Sequence, residues 1–253
     1  MAPLLVDAPL LYGVPLVLCA GMQCGFELLL SRCARAMNPW SHDEEQARPA
    51  KKDATDVDRI RVTVANGADE LARARELVRS RYSWRGYDVD ALSGVKGNQK
   101  NPARPHEVTF VAHADESLLG TLTLRLDGPQ GLMAESTHGS VIEDVRAQGG
   151  KVCELTRLAV VENPHSKLVL ASLFGITHAL ALTVHQISDA FIEVNPRHVR
   201  FYSKLLGFVA TAGERFCERV QAPSVLLRLE LKEQLQMFGI EPSYLEPVFA
   251  KAA

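Results

Sequence analysis

The sequence predicts an α/β domain whose mixed central sheet carries helices on both faces. Three observations lead to this prediction. Strand and helix periods alternate from residue 60 onward, two adjacent strands read as an antiparallel hairpin, and a later strand–helix–strand unit requires parallel pairing. The chain has 253 residues, of which 47% are hydrophobic and 23% charged, a composition that excludes a wholly disordered or collagen-like chain. Its net charge of −2 gives no overall field for holding nucleic acid.

The first residues form an apolar segment outside the α/β pattern. Residues 8–26 carry no charge, and a run of this length meets the requirement for a membrane helix. Prolines and glycines within the run weaken a helix, and no Lys or Arg precedes it as in a signal peptide. Residues 1–30 therefore either contact a membrane or pack as an arm on the domain or on a partner subunit. Arg32 and Arg35 follow the run, so an inserted segment would leave the rest of the chain in the cytoplasm.

The chain is expected to have three parts: an apolar N-terminal segment 1–37, a polar linker 38–58 and a folded domain 59–253. Residues 86–106 are rich in glycine, proline and polar residues and predict a long loop. The other elements predicted in chain order are strand 60–65, helix 69–82, strands 107–114 and 118–126 as a hairpin, a short helix 140–149, strand 151–161, helix 166–186 with Ser166 as its N-cap, strand 189–194, helix 197–206, and strands near 208–212 and 224–231.

Cysteine and histidine spacing gives no sign of a metal site or a disulfide framework. The five cysteines are odd in number and form no CxxC pair, which favours reduced thiols and a cytoplasmic location. The eight histidines show no HxxxH or HExxH spacing.

Two segments carry a resemblance to a known group of enzymes. The segment NPRHVRFYSKLLGF, residues 195–208, resembles the strand-to-helix segment of the GNAT acyltransferase superfamily. The segment CELTRLAVVEN, residues 153–163, resembles a strand shared by acyl-homoserine-lactone synthases and long-chain N-acyl amino acid synthases. Residues 79–90 also resemble the exit of the first helix in the N-acyl amino acid synthases. The resemblance leaves residues 1–55 unmatched.

The resemblance implies a GNAT-like fold with an apolar N-terminal extension, and an N-acyltransferase activity. The implied reaction moves a long-chain fatty acyl group from an acyl carrier protein thioester to the α-amine of an amino acid. The donor would be acyl-phosphopantetheine on the carrier protein, with no tightly bound cofactor. Coenzyme A-dependent relatives have a glycine-containing turn that cradles pyrophosphate. Residues 162–172 here contain no glycine, which favours the carrier protein, whose single phosphate could bind near Ser166 and Lys167.

Glu154 is the first candidate for amine recognition or deprotonation, because a carboxylate in a central strand is costly to bury without a partner or a function. Arg157 is its expected partner, either in catalysis or in an ion pair that only ties the sheet to a helix. Residues three apart on a regular strand point to opposite faces. The two side chains can therefore share a site only if the strand is bulged, as the corresponding GNAT strand is.

Other candidates carry two interpretations each. Tyr202 could donate a proton to the leaving thiolate, as in GNAT enzymes, or anchor its helix in the core. Asn195 could cap helix 197–206 or bind the pantetheine arm. Three arginines could bind an acidic carrier protein or the acceptor's carboxylate, or be surface charges. These arginines are Arg79, Arg81 and Arg125.

Two alternative functions stay open on the sequence. One is an acyl-homoserine-lactone synthase or an acyl-coenzyme A-dependent N-acyltransferase. The missing glycine turn argues against the coenzyme A version, and residues 86–106 diverge from the lactone synthases. The other is a non-catalytic protein that binds lipid or a carrier protein, which the apolar N-terminus would suit.

Overall fold

A computed structural model of the chain describes residues 10–11, 14–15, 60–83 and 106–232. The expected linker 38–58, most of the N-terminal segment 1–37 and the long loop up to residue 105 lie outside the described residues. The described elements, in chain order, are strands β1 (Leu10–Leu11), β2 (Val14–Pro15) and β3 (Ile60–Val64), helix α1 (Gly67–Ser83), strands β4 (Glu107–Ala114) and β5 (Ser117–Leu126), helix α2 (Glu135–Ala147), strand β6 (Val152–Val160), helix α3 (Ser166–Thr183), strand β7 (Asp189–Val194), a 3-10 turn (Pro196–His198), helix α4 (Val199–Leu206) and strands β8 (Val209–Ala210), β9 (Arg215–Cys217) and β10 (Ala222–Glu230).

The mixed sheet predicted from the sequence is present. Its strands run in the order β3-β4-β5-β6-β7-β10-β8, with β9 paired to β10, while β1 and β2 pair only with each other. β6 and β7 are parallel and the other pairs are antiparallel. The parallel pair is joined by α3, since two parallel neighbours need a crossover connection. The hairpin prediction for β4 and β5 is confirmed.

Helices cover both faces of this sheet. α3 packs on β5 and its neighbours, where the apolar side chains Leu122 and Leu124 alternate with polar side chains that point to the other face. Gly120 allows the closest approach, because a Cβ at this position would lie 2.9 Å from Val169 of α3. α1 contacts β5 and β6, and α2 contacts β6 and β9. The main apolar core therefore lies between the sheet and α3.

A second, smaller core lies under α2. Ile142 and Val145 of α2 pack with Val152 and Phe191 of the sheet, and all four are buried. The face beneath α2 is not purely apolar, however, since it also carries buried Glu154 and Arg125. Charged side chains seldom occupy such positions unless they are paired. This face is consequently where a site is expected.

Several element boundaries differ from the sequence-based expectation. α2 begins at Glu135 rather than 140. The carboxylate of Glu135, in the first turn of α2, accepts a hydrogen bond from the amide of Leu132, which precedes the helix. A non-helical conformation at His138 interrupts α2, which explains why a regular period begins only after it. α3 ends at Thr183 rather than 186. The short strand β9 was not predicted, and its three residues are too few to show a period.

The expected role of Ser166 as N-cap of α3 is wrong. His165 occupies the cap position, and Ser166 is the first helical residue. The Ser166 hydroxyl instead accepts a bond from the Asn163 amide at 2.8 Å. The Asn163 side chain in turn accepts a bond from the His165 amide at 2.7 Å. The turn before α3 is therefore closed by its own side chains.

Candidate active site

Glu154 lies in the middle of β6 on the face beneath α2 and is 2% exposed. Its Oε2 accepts hydrogen bonds from the backbone amides of Met133, at 2.5 Å, and Ala134, at 3.4 Å. Burial raises its pKa from the ordinary 4.5 to about 7, against the lowering effect of Arg219 and these two amides, and Glu193 adds to the rise. A carboxyl group with such a pKa can take up or release a proton near neutral pH.

The condition set by the sequence for Glu154 and Arg157 to share a face is met. Between the paired positions Thr121–Ala159 and Thr123–Thr156, β6 has one more residue than β5. This is a β-bulge, and Arg157 within it has a φ of 54°. The bulge turns the Arg157 guanidinium toward Glu107, on the face of the sheet that carries Glu154.

The expected direct partnership of Arg157 with Glu154 is not what the structure shows. Arg157 donates to Glu107 Oε2 at 2.7 Å, and its other terminal nitrogen lies 4.0 Å from the sulfur of Met133. Glu154 instead bonds the Met133 amide. Both residues therefore contact Met133, and the structure gives no ion pair between their side chains within the described residues.

Glu107 joins the two arginines and was missed in the sequence analysis. Its Oε1 accepts from Arg125 at 2.8 Å, and Arg125 also donates to the carbonyl oxygen of Gly131 at 2.9 Å. Glu107 and Arg125 are Cα partners, and so are Arg125 and Glu154, which places the three in one row across β4, β5 and β6. Among the described residues, the Glu107 carboxylate is thus shared by two guanidinium groups in the row that holds Glu154.

The strands β6 and β7 part beside Glu154. Their parallel pairing covers Val152 to Glu154 on β6, opposite Asp189 to Phe191 on β7, and ends there. Both strands continue beyond this point, to Val160 and Val194. A gap thus opens between their ends, and Glu154 is the last paired residue before it.

Tyr202 lies on the other side of the sheet from Glu154. It is half-buried in α4 and packs against the main core, with its ring edge-on to Phe208 at 6.3 Å and to Phe201 at 5.2 Å. The structure therefore brings the predicted base and the predicted acid to opposite sides of the sheet, on either side of the gap between β6 and β7.

The remaining predicted site residues lie apart from this row. Arg79 is exposed on α1, 3.9 Å from Glu76, and Arg81 is half-buried in the last turn of α1. Lys167 is exposed at the start of α3, next to Ser166. Asn195 caps the 3-10 turn before α4, because its side chain accepts from the Arg197 amide at 3.2 Å. Their roles in substrate binding stay predictions.

The described part of the chain offers no group of three or more His, Cys, Asp and Glu side chains placed to hold a metal ion. Within the same residues, no helix has the length and apolarity needed to cross a bilayer.

Fold and site together define an acyltransferase class, and comparison with known proteins agrees. Residues 73–230 match the family model described as N-acyl amino acid synthase FeeM. The solved structure of FeeM, an N-acyl amino acid synthase from uncultured soil microbes, is similar with a TM-score of 0.60 and 29% identity, covering 70% of this chain and 94% of that one. The chain belongs to the FeeM family of N-acyl amino acid synthases and is an N-acyltransferase with a GNAT-like fold.

More distant likenesses were found among acetyltransferases. A putative N-acetyltransferase from Lactobacillus plantarum has a TM-score of 0.45 and 14% identity, covering 68% of this chain and 98% of that one. An acyl-CoA N-acyltransferase from Pseudomonas aeruginosa has a TM-score of 0.44 and 15% identity, covering 67% and 97%. A search of curated proteins found no match.

Proposed function

We propose that this N-acyltransferase moves a long-chain fatty acyl group from acyl carrier protein to the α-amine of an amino acid, with Glu154 as the general base. The observation that carries the proposal is the buried Glu154 carboxyl group at the gap between β6 and β7. Its pKa is raised to about 7. The acceptor amine is protonated at neutral pH and must lose a proton before it attacks. A base with a pKa near the working pH is the most effective, and contributes about 10²–10⁴-fold to the rate.

The reaction forms one C–N bond and breaks one C–S bond. The acceptor ammonium gives one proton to Glu154, its nitrogen attacks the thioester carbonyl carbon, and the phosphopantetheine thiolate leaves as the second proton of the nitrogen passes to solvent. The bulge at Arg157 supports a place for the carbonyl oxygen, because an amide freed from a strand ladder can donate to a developing oxyanion. Tyr202, on the far side of the gap, is proposed to return a proton to the thiolate.

The turn before α3 supports carrier protein as the donor. Pyrophosphate recognition needs several free amides at such a turn. Here the amides of Asn163 and His165 are already bonded to the side chains of Ser166 and Asn163, and the turn contains no glycine. The single phosphate of phosphopantetheine needs fewer hydrogen-bond donors. We propose that the first turn of α3, together with Lys167, binds it.

The flanks of the gap support an apolar acyl chain. Half-buried apolar side chains from the end of β6, the end of β7 and helix α4 pack against the main core, and burying them further against an acyl chain would be favourable. These side chains are Leu158, Val160, Val194, Val199 and Leu205.

Mass spectrometry of reaction products tests the proposal. Purified protein is given a long-chain acyl carrier protein and a pool of amino acids, with parallel reactions that contain acyl-coenzyme A or S-adenosylmethionine. We expect an N-acyl amino acid from the carrier-protein donor, formed at least about 10²-fold more slowly by Glu154→Gln. Product from acyl-coenzyme A alone, or a lactone, would overturn the donor or the acceptor assignment.

A further inference from the structure

A second buried carboxylate lies beside Glu154 and takes no part in the chemistry above. Glu193 is on β7 two residues after Phe191, the Cα partner of Glu154, so both carboxylates face α2. Glu193 lies beyond the last residue of β7 that pairs with β6, at the edge of the gap between the two strands. Only 5% of the Glu193 side chain is exposed. The charge of Glu193 acts on Glu154 and raises the pKa of that carboxyl group.

The contacts of Glu193 fix the position of its carboxylate. Its Oε2 accepts from Arg219 at 2.5 Å, and its Oε1 accepts from the Ser224 hydroxyl at 2.7 Å. His138, completely buried in α2, places Nε2 3.3 Å from the same hydroxyl and 3.9 Å from Glu193 Oε1. A carboxylate that accepts a charge-assisted and a hydroxyl hydrogen bond is held in one orientation.

His138 completes the arrangement without adding charge. Burial lowers the pKa of His138, so at neutral pH its ring is neutral and Nε2 can donate to Ser224. Its Nδ1 is buried and has no hydrogen-bond partner among the residues that the structure describes. The backbone of α2 leaves helical geometry at this residue. A histidine held at a helix interruption, with one nitrogen unsatisfied, indicates that its contact with Ser224 is maintained at a cost.

We propose that Glu193, fixed by Arg219 and Ser224, is a positioning residue that controls whether Glu154 carries its proton. The negative charge of Glu193 favours the protonated form of Glu154, and the positive charge of Arg219 favours the ionised form. The balance between them sets the pH at which Glu154 becomes a base. The inference rests on the proposed role of Glu154, but it can be tested without turnover.

The charged and titratable groups that face this pair come from every element around it. Among the described residues they are Glu107 of β4, Arg125 of β5, Arg157 of β6, Asp189 of β7, Arg228 of β10, Arg219 and Arg215 from the β9 region, and His138 of α2. Glu107 is shared by two arginines, and Asp189 accepts from Arg228. Glu193 and Arg219 are the two whose charges act on Glu154 most strongly.

Infrared difference spectroscopy of the substrate-free protein reads the protonation of Glu154 directly. The carbonyl stretch of its protonated form is assigned by its loss in Glu154→Gln and followed with pH. In Glu193→Gln we expect the midpoint of this titration to fall by about one pH unit, since a neighbouring negative charge is lost. In Arg219→Met we expect it to rise, since a positive charge is lost. The acidic limb of kcat/KM is expected to move in the same directions.

Glu70→Gln is the matched control. It removes another partly buried carboxylate, which is bonded to His113 near the far end of β4, about 20 Å of strand away from Glu107. Its Glu154 midpoint should equal that of the wild type. Unchanged midpoints in both Glu193→Gln and Arg219→Met, or shifts in the same direction, would overturn the inference. If Glu193→Gln fails to fold, the rise in Arg219→Met still decides.

The two proposals fail separately. Midpoints that move as expected while the kcat/KM profile does not would remove Glu154 as the base but keep the control by Glu193. Static midpoints in a protein that makes N-acyl amino acids would remove the control and leave the proposed function intact.

Discussion

As pH rises, the free energy of unfolding of the Glu154→Gln variant should increase relative to that of the wild type. The folded-state pKa of Glu154 is about 7, raised from 4.5. The folded protein therefore binds more protons at this site than the unfolded chain in the intervening range. The stability linked to this group is fully present below pH 4.5 and is lost as pH rises through about 7.

The size of the effect follows from the same values. A rise in pKa from 4.5 to about 7 corresponds to ~3 kcal/mol of unfolding free energy. Between about pH 5 and about pH 8 the wild type should lose about 2 to 3 kcal/mol that Glu154→Gln keeps. The amide oxygen of Gln can still accept from Met133 and Ala134, since both bonds go to one oxygen, so the geometry is preserved.

Urea denaturation of both proteins at several pH values measures this difference. The slope m should be the same for both, so that the difference reports stability alone. Glu76→Gln, which changes an exposed carboxylate on α1, serves as the control and should keep a constant difference from the wild type. If the difference between Glu154→Gln and the wild type stays flat with pH, Glu154 is not a strained buried acid, and the reasoning about the base fails.

Three further predictions concern the rest of the site and the core. Glu107→Gln leaves the guanidinium groups of Arg125 and Arg157 without their shared carboxylate. It should lower the free energy of unfolding by about 3 kcal/mol in urea denaturation. An unchanged midpoint would show that the two arginines do not depend on Glu107. Tyr202→Phe keeps the ring packing and should lower kcat by about 10²-fold at unchanged stability, and full activity would make Tyr202 a packing residue. Gly120→Val should reduce the free energy of unfolding by about 1–3 kcal/mol and lower the thermal midpoint, because the new side chain would clash with Val169. An unchanged midpoint would mean that α3 shifts freely.

The sequence predicted the order and type of the larger elements because their hydrophobic periods are long and unambiguous. β6 carries a strong strand signal and α3 a long apolar helical signal, and the resemblance on β6 pointed to Glu154. The prediction that Glu154 and Arg157 could share a face was conditional on a bulge. Arg157 is not a glycine, so nothing in the sequence marked its positive φ.

Glu107 shows why the partners of the site were harder to predict. A hairpin counted from its turn, where Ala114 faces Ser117, would pair Glu107 with Leu124. A bulge after Ala112 shifts the register by one, so Glu107 pairs with Arg125 instead. A shift of one residue moves every side chain to the other face. The contacts of Glu193 were missed for a related reason. Ser224 and His138 reach Glu193 only through the final packing of β10 and α2.

Single-turnover acylation of an amino acid from long-chain acyl carrier protein, measured against pH for the wild type and Glu154→Gln, tests the central claim most directly. The account predicts that the wild-type rate rises through about pH 7, the pKa of Glu154, and that the variant is slower by about 10²-fold or more with no such rise. A variant that forms the amide at the wild-type rate, or a wild-type rate that shows no change near that pH, would contradict it.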